Sequence, residues 1–481
     1  MLQATLYRSF PPPIPAFVHL VIIGNGITGV TCARLVRKRD PEALITMISE
    51  ESDYFYSRTA LMYIYMGHMT EAHTKPYADD FWRKNRIELV GDRVERIDTD
   101  AKELMLRDGE PVPYDALLIA TGSTSTFYNW PGQDLDGVQG LYGLPDLEQM
   151  EQWTEGVDRA VVVGGGLIGV EMAEMLHVRS IHVTFLVREP WYMSYILPEE
   201  EGRMIERHLR AHGIDLRMET ELKEILSDDA GRARAVVAGD GEEIPARFVG
   251  LTTGVQPNVG FLEGSGIETN RGVLIDRHFR TNVEGVYAAG DCAEFREPLP
   301  ERKAIEQLWY TGREHGATVA QTITGSTKAY SPGVFYNSAK FFDIEYQTYG
   351  RIDPQLLEDE KTLYWEHPEG NRSIRIQYRA NGSNAVVGVN LMGVRHRHAV
   401  WADWISKGAD IETVLTNLSA ANFDPEFFDQ CEPAVLNAYN AENGTALEPA
   451  SKKGWKRWMA KLPMQGNLED RKFADSFSHL P

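Results

Sequence analysis

Short, uniformly apolar runs along the chain alternate with stretches of helical period. Phe17 to Ile23 is one such run, and it stops abruptly at Gly24-Asn25-Gly26-Ile27-Thr28-Gly29. Residues Val30 to Arg39 then continue as a helix that Pro41 breaks. An unbroken apolar run of this length reads as a strand buried on both faces of a parallel sheet, turning through glycines into a helix. Ala43 to Ser49 is a second apolar strand, which delivers Glu50 to its carboxyl end, 26 residues past Gly24. The pattern restarts 140 residues after Gly24: Ala160 to Val163 runs into Gly164-Gly165-Gly166-Leu167-Ile168-Gly169, a helix begins near Val170, and Ile181 to Val187 forms another strand. A single G-x-G-x-x-G turn is a weak signal. Two of them, each between strand and helix and each followed by a strand, predict two nucleotide-binding βαβ units in an α/β fold.

The remaining pattern divides the rest of the chain. Tyr114 to Ser123 and Gly285 to Glu294 are apolar strands that end in small residues, as expected where backbone comes close to a large ligand. From about Ser331 polar and apolar residues alternate, notably over Ala339 to Tyr349 and Ser373 to Tyr378, which predicts an antiparallel sheet. Helical patterns follow between Ala399 and Tyr439. Asn440 to Ser451 reads as a linker, and a basic tail closes the sequence.

Composition narrows the function classes. The 481 residues are 43% hydrophobic, enough for several cores, and 49 Lys and Arg against 70 Asp and Glu give a net charge of −21. A body this acidic is repelled by phosphate backbones and anionic lipid, so nucleic acid is not an expected partner. Only Cys32, Cys292 and Cys431 occur, too scattered for a disulfide framework or a cysteine zinc site; no metal is expected, and the cytoplasm is the natural compartment. No apolar run approaches the roughly 18 residues of a membrane span. Pro11, Pro12, Pro13 and Pro15 occupy the place of a signal peptide's hydrophobic stretch, so the sequon Asn371-Arg372-Ser373 carries little meaning.

In the first unit the glycines at 24, 26 and 29 permit a tight turn, close approach of a pyrophosphate and packing of helix on strand, while Ile27 and Thr28 open the helix whose N-terminus faces the phosphates. Glu50 can accept both ribose hydroxyls and would repel a 2′-phosphate, so this site is expected to hold an unphosphorylated adenosine ribose. The alternative is a solvated surface glutamate.

The pair of nucleotide folds, Ala120-Thr121-Gly122, the stretch from Pro131-Gly132 to Leu144, and Gly290-Asp291 together resemble the flavoprotein pyridine-nucleotide reductases. Tyr56-Ser57-Arg58-Thr59-Ala60-Leu61 is similar to the segment found in NADH:rubredoxin reductases, ferredoxin reductases and the flavin part of nitrite reductase. The resemblance covers roughly residues 17 to 400. It implies two Rossmann-like domains, an FAD domain (1–125 and 250–330) with an inserted NAD(P) domain (126–249). A C-terminal α+β interface domain with a helical extension (331–445) and a linker with a basic amphipathic tail (446–481) would follow. It makes Gly24, Gly26, Gly29 and Glu50 the adenosine-diphosphate site of FAD, with the Val94 backbone near the adenine. Asp291 would bind a ribityl hydroxyl, and Arg58, Ala120, Thr121, Gly122 and Gly290 would lie along the cofactor. Trp309 either packs near the isoalloxazine or belongs to the core. Gly164, Gly166, Leu167, Ile168, Gly169 and Gly254 would form the NAD(P)H site.

Three departures from that pattern shape the expected chemistry. Tyr54 to Gly67 holds no cysteine, whereas disulfide reductases carry a reactive thiol there, so disulfide chemistry has no nucleophile. Cys292 has no partner in sequence and reads as a small core residue. At the tip of the second nicotinamide-fold strand, where NADH-specific members place an acid, stand Val187 and Arg188. Arg188 can pair with a 2′-phosphate, which tips the expectation toward NADPH, although Glu189 adjoins it and the second arginine of the NADPH pattern falls on Ser194. Glu171 matches a glutamate that borders nicotinamide and flavin; its usual lysine partner is replaced by Tyr63, and the other reading of Glu171 is a helix-start acid favoured by the macrodipole.

The implied activity is an FAD-dependent NAD(P)H oxidoreductase that passes electrons to a small carrier such as ferredoxin or rubredoxin. Reduction of quinone or oxygen, and a non-catalytic flavoprotein serving as a redox-sensing or interaction subunit, are the competing readings. A homodimer is compatible with either enzyme. Arg395-His396-Arg397-His398 could offer a basic face to an acidic ferredoxin, or be a solvated turn. In the tail, Lys452, Lys453, Lys456, Arg457 and Lys461 accompany Trp455, Trp458, Met459 and Leu462 at helical spacing. Pro463 keeps that helix short, which favours docking on an acidic partner or on the chain's own body over peripheral membrane contact through 451–462.

Overall fold

The computed structural model describes residues 19–326, 328–427 and 429–450. The basic tail expected over 451–462 lies outside them. Residue contacts separate two compact units, 19–194 with 205–332 and 195–204 with 333–450.

The first unit is built on two five-stranded parallel sheets. In one, His19–Ile23 lies between Leu44–Ile48 and Ala116–Ile119, with Ile87–Val90 and Val286–Ala288 at the edges. Leu20, Val21 and Ile22 are wholly buried, which is why this strand reads as an unbroken apolar run. In the other, Arg159–Val163 lies between His182–Leu186 and Phe248–Leu251, flanked by Asp215–Arg217 and Val138–Gln139. In both sheets the chain leaves the central strand to one side and later returns on the other. The carboxyl end of that strand is therefore a topological switch point, the place where open α/β sheets bind ligands. Both glycine turns sit at such points.

The helices that matter for the site are α1 (Ile27–Arg39), α2 (Leu61–Tyr65), α3 (Leu144–Trp153), α4 (Leu167–Val178), α5 (Glu199–Ala211) and α6 (Trp309–Ile323). Helix α1 begins three residues earlier than the apolar period suggests, because Ile27, Thr28 and Gly29 already form its first turn. Helix α6 packs against α1. Thr28 Oγ1 donates to the Gly312 carbonyl at 2.9 Å, and Cβ atoms at Gly312 and Gly316 would collide with α1.

The second unit is an antiparallel sheet in the order 336–341, 344–350, 386–392, 373–379, 360–366. The alternating stretch around Ala339 to Tyr349 folds as a hairpin with Phe342 in the left-handed region at its tip. One sheet face buries Ile374, Ile376, Val389 and Leu391 against Trp401, Ile411, Val414 and Val435 of the C-terminal helices. The other face carries Arg375, whose guanidinium is held by Glu201 at 2.7 Å and Glu200 at 2.6 Å. The first six residues of strand 373–379 are all buried, although their polarity alternates.

The tetrad at 395–398 is not the open basic patch that its sequence suggests. Arg395 pairs with Glu345, buried His396 accepts from Trp401 Nε1 at 3.1 Å, Arg397 donates to the Phe423 carbonyl, and His398 stacks on Tyr349. Each side chain is engaged within its own unit.

Candidate functional site

The first cradle follows from where the glycines stand. Gly24 has φ +107°, and a Cβ there would lie 2.2 Å from the Ala120 carbonyl oxygen. A Cβ on Gly29 would lie 2.2 Å from the Gly24 carbonyl oxygen, so helix can close on strand only with glycine at that place. Gly26 differs: a Cβ there would meet nothing within 4 Å. It is also the N-cap of α1, with no side-chain cap and no acid in the first turn, which leaves the amides of the first turn without a protein anion. No contact within the described residues therefore demands glycine at position 26.

Around this opening the structure gathers most of the predicted residues. Thr121 Oγ1 donates to the Asn258 carbonyl at 2.7 Å, and Gly122, at φ +68°, faces the Tyr142 hydroxyl. Asp291 Oδ2 accepts from Ser123 Oγ at 3.3 Å and from the Tyr142 hydroxyl at 3.4 Å. Burial pushes this carboxyl up from 3.8 to about 6, against the hydrogen bond from Ser123, the charge of Arg58 and the hydrogen bond from Tyr142. Gly290 is pinned beside Thr28, and its N–H donates to Nδ1 of buried His315 at 3.3 Å. Trp309 opens α6, and its indole Nε1 is buried without a hydrogen-bond partner among the described residues.

Three predicted residues stand differently from a simple reading. Glu50 is at the tip of its strand but exposed, 3.3 Å from Arg107 and 3.7 Å from Arg93. Val94 has its side chain in the core, which leaves only its backbone for a ligand. Arg58 is not free to lie along an open cleft. It grips Glu51 through two nitrogens at 3.0 and 2.7 Å, donates to the Tyr142 carbonyl at 2.6 Å and lies 4.4 Å over the Tyr142 ring. Burial alone would raise the Glu51 carboxyl, but Arg58 and the hydroxyl of Tyr56 hold it below its usual range. Burial also raises the Tyr142 phenol, and Asp291 adds to that.

Glu51, Tyr142, Ser123 and His315 were not singled out from sequence. For Glu51 a signal existed, since it is the second of two adjacent acids at a strand tip, where only one can point outward. Tyr142 and His315 are joined to the site across 149 and 25 residues, which no local pattern encodes.

The second cradle repeats the first. Gly164 has φ +109°, with a hypothetical Cβ 2.6 Å from the Thr252 carbonyl oxygen, and a Cβ on Gly169 would stand 2.2 Å from the Gly164 carbonyl oxygen. Gly166 caps α4, whose first residues are Leu167 and Ile168, and its carbonyl accepts from the Tyr192 hydroxyl at 3.1 Å. Gly254, at φ +111°, leaves open space where its Cβ would be. Val187 is wholly buried, so it cannot meet a ribose as an acid would. Arg188 beside it is 75% exposed, with Nε 3.4 Å from Glu189. Glu171 is half-buried in the second turn of α4, and no acid occupies the first turn, which weakens the macrodipole reading. Tyr63 is half-buried in α2, which packs on α4.

No thiol stands open to either cradle. Cys32, Cys292 and Cys431 are all buried. Cys292 Sγ donates to the carbonyls of Ile119 and Ala289 at 3.4 Å, and burial pushes its thiol above the usual range.

Comparison with known proteins points the same way. Residues 18–316 match the family described as pyridine nucleotide-disulphide oxidoreductase. The chain is 28% identical over 377 residues to the nitrite reductase [NAD(P)H] of Bacillus subtilis, covering 74% of this chain and 46%, just under half, of that protein. It is 32% identical over 318 residues to the ferredoxin–NAD(+) reductase component of the biphenyl dioxygenase system of Paraburkholderia xenovorans, covering 66% of this chain and 76% of the other. Among solved structures, an NAD-dependent persulfide reductase from A. fulgidus superposes with a TM-score of 0.77 at 24% identity, covering 89% of this chain and 84% of that one. The putidaredoxin reductase–putidaredoxin complex gives 0.71 at 20% identity, with 89% and 99% covered. At these identities the structures speak for the fold alone.

Proposed function

Because this chain belongs to the pyridine nucleotide-disulphide oxidoreductase family, we propose that it is an FAD-dependent NAD(P)H oxidoreductase delivering electrons to a separate small carrier of the ferredoxin or rubredoxin type. One observation carries this reading: a single compact unit holds two switch-point cradles and, among the described residues, offers no open thiol to either.

The residues fit a flavin dinucleotide. Gly26 leaves room for a pyrophosphate at an uncapped helix start. Asp291 supplies a carboxylate for a sugar hydroxyl, and the buried indole N–H of Trp309 awaits an acceptor. Bound flavin would supply an acceptor for a nicotinamide hydride that can afterwards release electrons one at a time, which suits an iron–sulfur carrier. The chain's own part is positioning. Its glycines let two dinucleotides approach from opposite cradles, and the Glu51–Arg58–Tyr142–Asp291 network fixes the walls between them. With every thiol buried, electrons have no protein sulfur to reach first. Arg188, exposed at the tip of its strand with buried Val187 in the acid's place, supports NADPH as the preferred donor.

Anaerobic stopped-flow mixing of the FAD-loaded protein with NADPH and with NADH tests the first half-reaction. Reoxidation by ferredoxin, a soluble quinone or air tests the second. Rapid bleaching by NADPH and fastest reoxidation by ferredoxin are expected. Preference for quinone would sink the carrier assignment, and failure of both dinucleotides to bleach the flavin would favour a non-catalytic role. Among the described residues no helix is long and apolar enough to cross a membrane.

A further inference from the structure

The two cradles must be held at a fixed separation, and one side chain joins the helices behind them. Arg179 is the C-cap of α4 and reaches the last residue of α2. Its Nε donates to the Tyr65 carbonyl at 2.9 Å, Nη2 donates to the same oxygen, and the guanidinium carbon lies 3.6 Å from the centre of the Tyr65 ring. Nη1 reaches Glu151 of α3 at 2.6 Å. The Tyr65 ring is itself buried, and its hydroxyl lies 2.7 Å from Thr154 Oγ1 at the C-cap of α3. Thr154 Oγ1 donates to the Met150 carbonyl, which makes the phenol the donor of that pair. One guanidinium thus caps α2, stacks on its terminal ring and ties both to α3 and α4. A cation at the carbonyl end of a helix is placed where the dipole favours it, and the planar fork makes stacking and paired donation possible at once.

These helices also carry Tyr63, on α2, and Glu171, on α4, the pair whose counterparts in the resembling reductases border nicotinamide and flavin. We propose that Arg179 is a positioning residue for the nicotinamide-to-flavin transfer, fixing α2 of the first cradle against α3 and α4 of the second through Tyr65. This rests on the function proposed above. Transfer between two bound rings is steep in distance, and a displacement of about 1 Å costs on the order of 100-fold. Release of the clamp therefore acts on the reductive half-reaction alone, because oxidation of flavin by an outside acceptor does not use the second cradle.

The experiment compares FAD-loaded full-length wild type, Arg179→Ala, Arg179→Lys and Tyr65→Phe. Three readings are taken: flavin content, the limiting anaerobic rate of reduction by NADPH, and reoxidation of dithionite-reduced protein by ferricyanide. Arg179→Ala should lower the reduction rate about tenfold or more while flavin content and reoxidation stay within about twofold. Arg179→Lys, which keeps the charge but loses the fork, should fall between. Tyr65→Phe, which keeps ring and carbonyl, should lose less than Arg179→Ala. An unchanged reduction rate in Arg179→Ala, or equal slowing of both half-reactions, overturns the assignment. Should Arg179→Ala fail to retain flavin, Arg179→Lys decides by the same two rates. Wild-type flavin that neither dinucleotide reduces would bring down the functional reading, and the clamp with it, whereas wild-type rates in the variants bring down the clamp alone.

Discussion

Replacing Asp291 by asparagine should move stability and ligand affinity in opposite directions. In the apoprotein the carboxyl is pushed from 3.8 up to about 6, because burial penalises its charge more than Ser123, Arg58 and Tyr142 relieve it. A carboxyl whose folded value exceeds its unfolded value binds protons more tightly when folded. Its contribution to stability is therefore complete below pH 3.8 and disappears as the pH rises through about 6. At about 1.36 kcal/mol per pH unit, that interval makes the ionised carboxylate cost the apoprotein roughly 3 kcal/mol at pH 8. Asp291→Asn removes the ionisable group and keeps the shape, so the apoprotein variant should gain up to ~3 kcal/mol at pH 8 and almost nothing at pH 4. FAD binding should weaken, since a charged hydrogen bond to a ligand hydroxyl contributes about 1.5–3 kcal/mol, or roughly 10- to 100-fold in affinity. Urea unfolding of the apoproteins at both pH values, with fluorescence titration of FAD, reads the two effects separately. A variant less stable than wild type at pH 8, or one that binds FAD equally well, would refute the reasoning.

Further perturbations probe the cradles. Gly26→Ala should leave the apoprotein folded, because its Cβ meets no protein atom, yet weaken FAD binding by ~100-fold in an equilibrium titration. Gly29→Ala should instead destabilise the fold by roughly 1–3 kcal/mol in urea unfolding, since its Cβ would press on the Gly24 carbonyl. Arg188→Ala should raise KM for NADPH by about 10- to 100-fold and leave NADH unaffected, as steady-state kinetics with both donors will show. Cys292→Ala should cost about 1 kcal/mol of stability and leave the rate of flavin reduction unchanged within about twofold.

What the sequence disclosed were features written in local pattern. Wholly buried parallel strands appear as apolar runs, and the two glycine turns fall where such runs end, so both cradles were readable from residues 19–29 and 159–169. The site walls were not, because their partners are distant: Arg58 meets Tyr142 across 84 residues, and Ser123 meets Asp291 across 168. Arg395 to His398 shows the opposite failure. Four adjacent cationic or titratable side chains look like a patch in sequence, but an isolated bridge from His396 to Asn422 and a helix start at His398 send each to a different neighbour. Buried charge deceives in the same way, since Arg375 lies in the second unit's interior only because Glu200 and Glu201 close over it.

Net charge bears directly on the carrier. A chain of −21 repels an acidic ferredoxin at long range, and the tetrad at 395–398 does not reverse this locally. The tail is cationic as well: residues 451–481 hold seven Lys and Arg against three Asp and Glu. If that tail recruits the carrier, kcat/KM for an acidic ferredoxin should fall as salt rises from about 20 to 200 mM, over which the Debye length shrinks from roughly 20 to 7 Å. A chain ending at residue 450 should show a lower rate at low salt and a slope of opposite sign, because screening then relieves only repulsion. Ferricyanide, a small trianion, controls for generic charge effects, and NADPH reduction of the flavin controls for damage to the cradles. Identical salt slopes with and without the tail would show that recruitment depends on some other surface.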